Sequence, residues 1–255
     1  VRPKRVVITS SSVAVMYGQE KTEYTDDDWS DVNSTKYPMN AYGKSKTLAE
    51  RAAWDFVGQL PPEKKLDICT INPTFVLGPM LSGNDHSSAS VMKQIILAEF
   101  PAIPNMQIDY ISVFDVARAH LLAMTNPNAV GKRFVLCAGD IKFGEIAQLI
   151  AREFKPKGYS PVTMVAPKFV VRLLAFFGDR QAQGIISSIG RVLHVSSHNA
   201  KNILGLELKE DRNLFLEMTY AAIHAGLIPD KSKNQEITRT YQRPEIDLSM
   251  IPPAK

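Results

Sequence analysis

Two periods of apolar residues run along this chain, and the changes between them mark its elements. Val6-Val7-Ile8-Thr9 is an unbroken β-branched run, the pattern of a strand covered on both faces in a parallel sheet. A polar stretch follows from Gln19 to Asn40. From Ser45 to Val57, Leu48, Ala49, Ala52, Ala53, Phe56 and Val57 recur at helical spacing, and Gly58 closes the segment. Leu66 to Val76 is a second buried run, closed by Leu77-Gly78-Pro79. Strand, loop, helix and strand within about seventy residues form a βαβ unit, which predicts a right-handed crossover in an α/β sheet. Further on, the pattern predicts helices over 89–99, 116–125, 142–154, 167–177 and 214–224, with strands over 107–113 and 133–138. A Ser/Gly/Asn loop is expected over 82–88, and from Lys231 the polar, Pro-containing sequence reads as a tail with little to bury.

Composition narrows the function classes. With 255 residues, 45% of them hydrophobic, the chain can bury a sizeable core. The formal charge of +4 is dispersed, and no run of five or more Lys/Arg interleaves with aromatics, so neither a nucleic-acid nor a membrane-surface partner is expected. The greasiest segment, Val165 to Phe177, is interrupted by Lys168 and Arg172 and is too short for a membrane span. Cys69 and Cys137 lie in apolar runs and read as free thiols in a reducing compartment. No metal site is expected, and the expected location is the cytoplasm.

The chemistry gathers at two places. Tyr42 and Lys46 stand four apart where a helix begins, so both fall on one face. There an ammonium near a phenol favours the phenolate and eases proton exchange. Tyr17 and Lys21 have the same spacing, but in a polar loop where it carries no geometric meaning. Thr9-Ser10-Ser11-Ser12 follow directly on a buried strand, at the carboxyl edge where open α/β sheets bind ligands. Asn72-Pro73-Thr74 supplies a second such edge to the same crevice.

The strings Val6–Ser12, Asn40–Trp54 and Asn72–Pro79 resemble the extended short-chain dehydrogenases/reductases, most closely the dihydroflavonol reductase-like branch that includes cinnamoyl-CoA reductases. Asp109–His120 and the segment from Ala200 are similar to later parts of that family, so the likeness covers residues 4 to about 230. It implies a Rossmann-like parallel sheet, here its C-terminal portion, plus a small mixed substrate lobe (about 80–105 and 140–230) and a flexible tail (231–255). It also implies an NADP(H) cofactor, with NAD not excluded, and a small carbonyl or alcohol substrate. By position, Ser11, Tyr42 and Lys46 would be catalytic. Thr9, Pro73, Val76 and Ser88, together with Tyr42 and Lys46, would meet the cofactor, and Ser12, Asp109 and Tyr110 would meet the substrate.

The family opens with a Gly-x-x-Gly-x-x-Gly turn that cradles the pyrophosphate, and this sequence contains none. The expectation is therefore a fragment, truncated gene model or splice form whose own activity is open. Two rivals stand beside a ketone or aldehyde reductase: a nucleotide-sugar epimerase or dehydratase with the same triad, and a non-catalytic binding protein. A nucleotide-sugar site should show a basic or aromatic bed for the diphosphate, whereas a reductase lobe should be mainly apolar.

Overall fold

Arg5–Thr9 forms the first strand, β1, in a computed structural model that describes residues 3–80, 87–99, 101–177, 182, 185, 186 and 188–242. After a two-residue strand, β2 (Glu23–Tyr24), the chain enters helix α1 (Ala41–Gly58) and returns as β3 (Asp67–Pro73). β3 is buried from Ile68 to Pro73 and lies at the centre of a parallel sheet, with β1 on one side and β7 (Arg133–Leu136) on the other. This is the βαβ unit that the pattern predicts. Helix α1 starts four residues before the apolar period does, because the Asn40 side chain accepts from Gly43 N at 2.8 Å and so caps the helix ahead of its apolar face.

The run predicted as one strand over 66–76 is two strands in two sheets. Pro73 has no N–H to continue a ladder. Thr74 instead turns its N–H and hydroxyl to Leu136 O, at 3.0 and 2.8 Å. The chain resumes as β4 (Phe75–Leu77), which pairs in parallel with β6 (Gln107–Ser112); β6 pairs antiparallel with β8 (Gly139–Lys142). β5 (Ile103–Pro104) is a short strand between them in the chain. The two sheets diverge from Pro73, and the cleft described below opens between them.

Helix α2 (Ser87–Ile96) falls on the predicted 89–99 segment, and the loop expected over 82–88 lies mostly outside the described residues. Helix α3 (Val113–Thr125) begins three residues early because the Ser112 side chain accepts from Phe114 N at 3.2 Å. Helix α4 (Phe143–Phe154) packs with α2 around Met92, Ile95, Ile146 and Ile150. A short strand, β9 (Val165–Ala166), and helix α5 (Lys168–Phe176) follow. Strand β10 (His194–Val195) pairs in parallel with β2, and helix α6 (His198–Asn202) packs on β7 with Ala200 in the core of the first sheet, whereas helix α7 (Asn213–His224) adds Phe215 and Ala222 to the core around α2 and α4.

The segment from Lys231 is not a tail over its described part. Asp230 Oδ2 accepts from Thr238 N and Oγ1, both at 2.8 Å, and Ile237 is buried in the lobe core. Helix α8 (Glu236–Thr240) thus packs on the molecule, and one buried isoleucine in a polar stretch was too sparse a signal to show it. Residues 243–255 lie outside those described.

Candidate active site

The ends of β1 and β3 face a cleft of about 1440 Å³. Ser11, Tyr42 and Lys46 line it, as do Thr9, Pro73, Val76 and Ser88. Ser12 and Asp109 line it too, whereas Tyr110 does not.

The three serines have different duties. Ser10 donates its hydroxyl to Glu50 Oε2. Ser11 Oγ accepts from Val13 N at 3.4 Å, capping a single turn over Ser12–Ala14, and its own proton has no acceptor among the described residues. Ser12 receives Val15 N and Met16 N on its carbonyl, at 2.8 and 3.1 Å, which locks the turn.

Behind the serines is a buried charge pair that sequence reasoning did not single out. Glu50, two turns beyond Tyr42 on α1, accepts from Asn72 Nδ2 at 2.7 Å on Oε2 and from Arg133 Nε at 2.6 Å on Oε1. Burial alone would raise its pKa, but Arg133, Ser10 and Asn72 together hold it below the usual carboxylate range. Asn72 also donates to Ser11 O at 3.2 Å. Arg133 reaches Asp26 O at 3.0 Å and stacks on Trp29, 3.9 Å from the ring centroid. One carboxylate thus ties α1, the serine turn, the central strand and the polar 19–40 loop together. The four-residue step Tyr42, Lys46, Glu50 was the available signal.

Tyr42 is 56% exposed, and Lys46 Nζ lies 3.5 Å from Thr9 O. Thr9 Oγ1 is 2.7 Å from His120 Nε2, and His120 Nδ1 is 2.7 Å from Val116 O. A carbonyl can only accept, so Nδ1 carries the proton and, in the neutral ring, Nε2 accepts from Thr9.

On β6, side chains alternate between faces. Asp109 reaches the cleft, while Tyr110 is fully buried with its ring 5.1 Å from that of Phe215. Of the two residues expected on the substrate side, the structure brings Asp109 to the cleft and turns Tyr110 into the core. Burial, reinforced by Asp140 and opposed by Gln107 and His194, pushes the Asp109 carboxyl up to about 6. Burial, with Asp109 and Asp140 nearby, also pushes the Cys137 thiol up to about 12, so it remains a thiol rather than a nucleophile.

Tyr17 also lines the cleft, which its place in a polar loop did not predict. Its spacing partner Lys21 is engaged elsewhere, on Asp28 and over the Tyr24 ring. Residues 1–137 match the family model described as the NAD dependent epimerase/dehydratase family. The chain belongs to that family. Cinnamoyl-CoA reductase CAD2 of Medicago truncatula is 38% identical over 157 residues, covering 60% of this chain and 46% of that protein. The NADPH-dependent methylglyoxal reductase GRE2 of Saccharomyces cerevisiae is 28% identical over 173 residues, covering 62% and 51%. The solved structure of Gre2 from Candida albicans superposes with a TM-score of 0.65 at 25% identity, covering 88% of this chain and 66% of that one. The epimerase/dehydratase-family chain thus spans about half the length of the relatives it matches by sequence. Among the described residues, no helix is long and apolar enough to cross a membrane, and no cluster of His, Cys, Asp and Glu could hold a metal.

Proposed function

We propose that this chain carries the catalytic residues of an NADP(H)-dependent reductase that acts on the carbonyl of a ketone or aldehyde. The observation that supports it best is that Ser11, Tyr42 and Lys46, brought from two separate elements, line one cleft that is otherwise mainly apolar, with Leu77, Met80, Val91, Met106 and Val171 among its lining residues. A nucleotide sugar would ask for a charged bed in that space. Relatives named as cinnamoyl-CoA reductase and NADPH-dependent methylglyoxal reductase support the same reading.

The residues present fit the nicotinamide end of the cofactor. Lys46 beside the Thr9 carbonyl suits the ribose, and Pro73, Val76 and Ser88 offer a flat, mostly apolar bed. When bound, the nicotinamide supplies hydride to the carbonyl carbon. Ser11 donates its free proton in a hydrogen bond to the carbonyl oxygen and fixes the substrate's orientation. Tyr42 gives that oxygen its phenolic proton, and Lys46 stands one turn on along the same helix. Ser12 and Asp109 stand on the substrate side, and the cytoplasm is the location this reading implies.

The test is consumption of NADPH, followed by its absorbance, with ketones and aldehydes as substrates of the protein. Tyr42→Phe should lower kcat by roughly 10²–10⁴-fold, the range for loss of a general acid, and Lys46→Met should do similar harm. Turnover unchanged by Tyr42→Phe would overturn the reading.

A further inference from the structure

Helix α5 is apolar on nearly every side, yet only one side of it is covered. Lys168 and Arg172 are the polar residues among Lys168–Phe176. Val170, Val171 and Leu174 line the cleft. Phe169, Leu173 and Phe176 are spaced to share another side of the helix, where they are 70%, 54% and 83% exposed. Phe177, next along the chain, is 77% exposed, with its ring 5.5 Å from that of Phe176. Scattered apolar residues at a surface are ordinary, but these are gathered. Of the thirteen large apolar side chains exposed among the described residues, seven fall in 164–177. A helix apolar all round belongs in a core or in lipid, and a contiguous exposed patch marks an interaction surface.

Charge decides what covers it. Lys168 and Arg172 are both exposed and stand one turn apart on the flank beside Phe169 and Phe176. No Asp or Glu occurs anywhere in 154–178, and the whole chain carries a formal charge of +4. A second copy docked through the same face would bring its own Lys168 and Arg172 to a self-complementary contact, where like charges oppose pairing. An anionic bilayer surface suits both halves of the pattern. The phenylalanines enter the boundary between headgroups and acyl chains, while the long basic side chains reach back to the phosphates. The test for a run of five or more basic residues passed over this helix because it carries two, set beside aromatics by helical spacing.

We propose that the outer face of α5, formed by Phe169, Leu173, Phe176 and Phe177 with Lys168 and Arg172, docks the protein on a membrane surface that carries anionic lipids. The helix lies in the plane of the interface, and its cleft-lining side stays with the protein. None of these six residues lines the cleft, so the inference does not depend on what reacts there.

Co-sedimentation with vesicles tests it. The unmodified chain should bind phosphatidylcholine vesicles carrying about 30% phosphatidylserine roughly tenfold more tightly than phosphatidylcholine alone, and salt at about 0.5 M should erase most of that preference. Phe169→Ser with Phe176→Ser should weaken binding to the anionic vesicles by roughly tenfold or more. Both positions are exposed, so the circular dichroism spectrum should not change. Lys168→Gln with Arg172→Gln should remove the preference for anionic vesicles, and it serves where the phenylalanine pair fails to fold. No binding to either vesicle, equal binding to both, or an unaltered preference in the two double variants overturns the proposal. Sedimentation equilibrium without vesicles covers the other occupant. A dimer that the phenylalanine pair dissociates would assign this face to a second copy, and would overturn the proposal too.

Discussion

Asp109 shows how far the fold can move the chemistry of a single side chain. Its carboxyl is raised to about 6 by burial first and Asp140 second, against about 3.9 in an unfolded chain. Because the folded state holds the proton more tightly, the group destabilises the fold increasingly as pH rises through this window, and fully above about 6. Asp109→Asn should therefore raise unfolding stability at pH 7.5 by about 3 kcal/mol, and the gain should shrink toward zero near pH 4. Urea midpoints compared at the two pH values check this, and a gain that does not vary with pH would refute it. At this scale legibility was uneven. That Ser11, Tyr42, Lys46 and Asp109 would face one cleft was readable because motifs place them at the ends or on the faces of regular elements. Tyr17 was not, since a residue in a polar loop has no period, and only Ser30, Asp31 and Gly18 show where it points. Tyr110 failed for a simpler reason, the alternation of a strand.

Among the elements, helix α1 carries the most, with Tyr42 at its exposed mouth and Glu50 buried two turns on. Removing the Glu50 side chain would strand Arg133, which is buried with it. Glu50→Ala should cost roughly 3–5 kcal/mol, as breaking a buried pair does, whereas Glu50→Gln keeps the Asn72 and Ser10 partners within reach and should cost less. The pH dependence has the opposite sign to that of Asp109. The Glu50 pKa is lowered by its partners against the burial that would raise it, so its contribution is complete above the unfolded value of about 4.3 and is lost as pH falls through the folded one. Acid unfolding followed by circular dichroism should accordingly be less steep in Glu50→Gln, and an unchanged acid limb would count against the network. The helix itself was plain from its apolar period. Its start was not, because Asn40 caps it outside that period, and the 66–76 run concealed its break because Pro73 sits among residues that are all strand formers.

For the molecule as a whole, the parallel sheet and the mixed lobe followed from the order of elements and the family resemblance, while the closing of the lobe did not. Ile237 inserts into the lobe core from a segment whose composition is polar. Ile237→Ala should lower global stability by about 2–4 kcal/mol, as loss of a buried aliphatic side chain does, with a matching fall in the urea midpoint. No change would mean that this segment carries nothing for the fold.

Pro73 ends one sheet and Phe75 begins another, and Leu136 O is where the chain between them makes its last bonds to the first sheet. The serines stand at the end of the first sheet and Asp109 stands in the second. A joint of this kind separates two hereditary tasks. On the reductase reading proposed above, changes in residues around the second sheet would alter which molecule is admitted while the proton-handling groups on the other side stay in register. On that reading, the seam at one imino acid would let a lineage change its diet without relearning its chemistry.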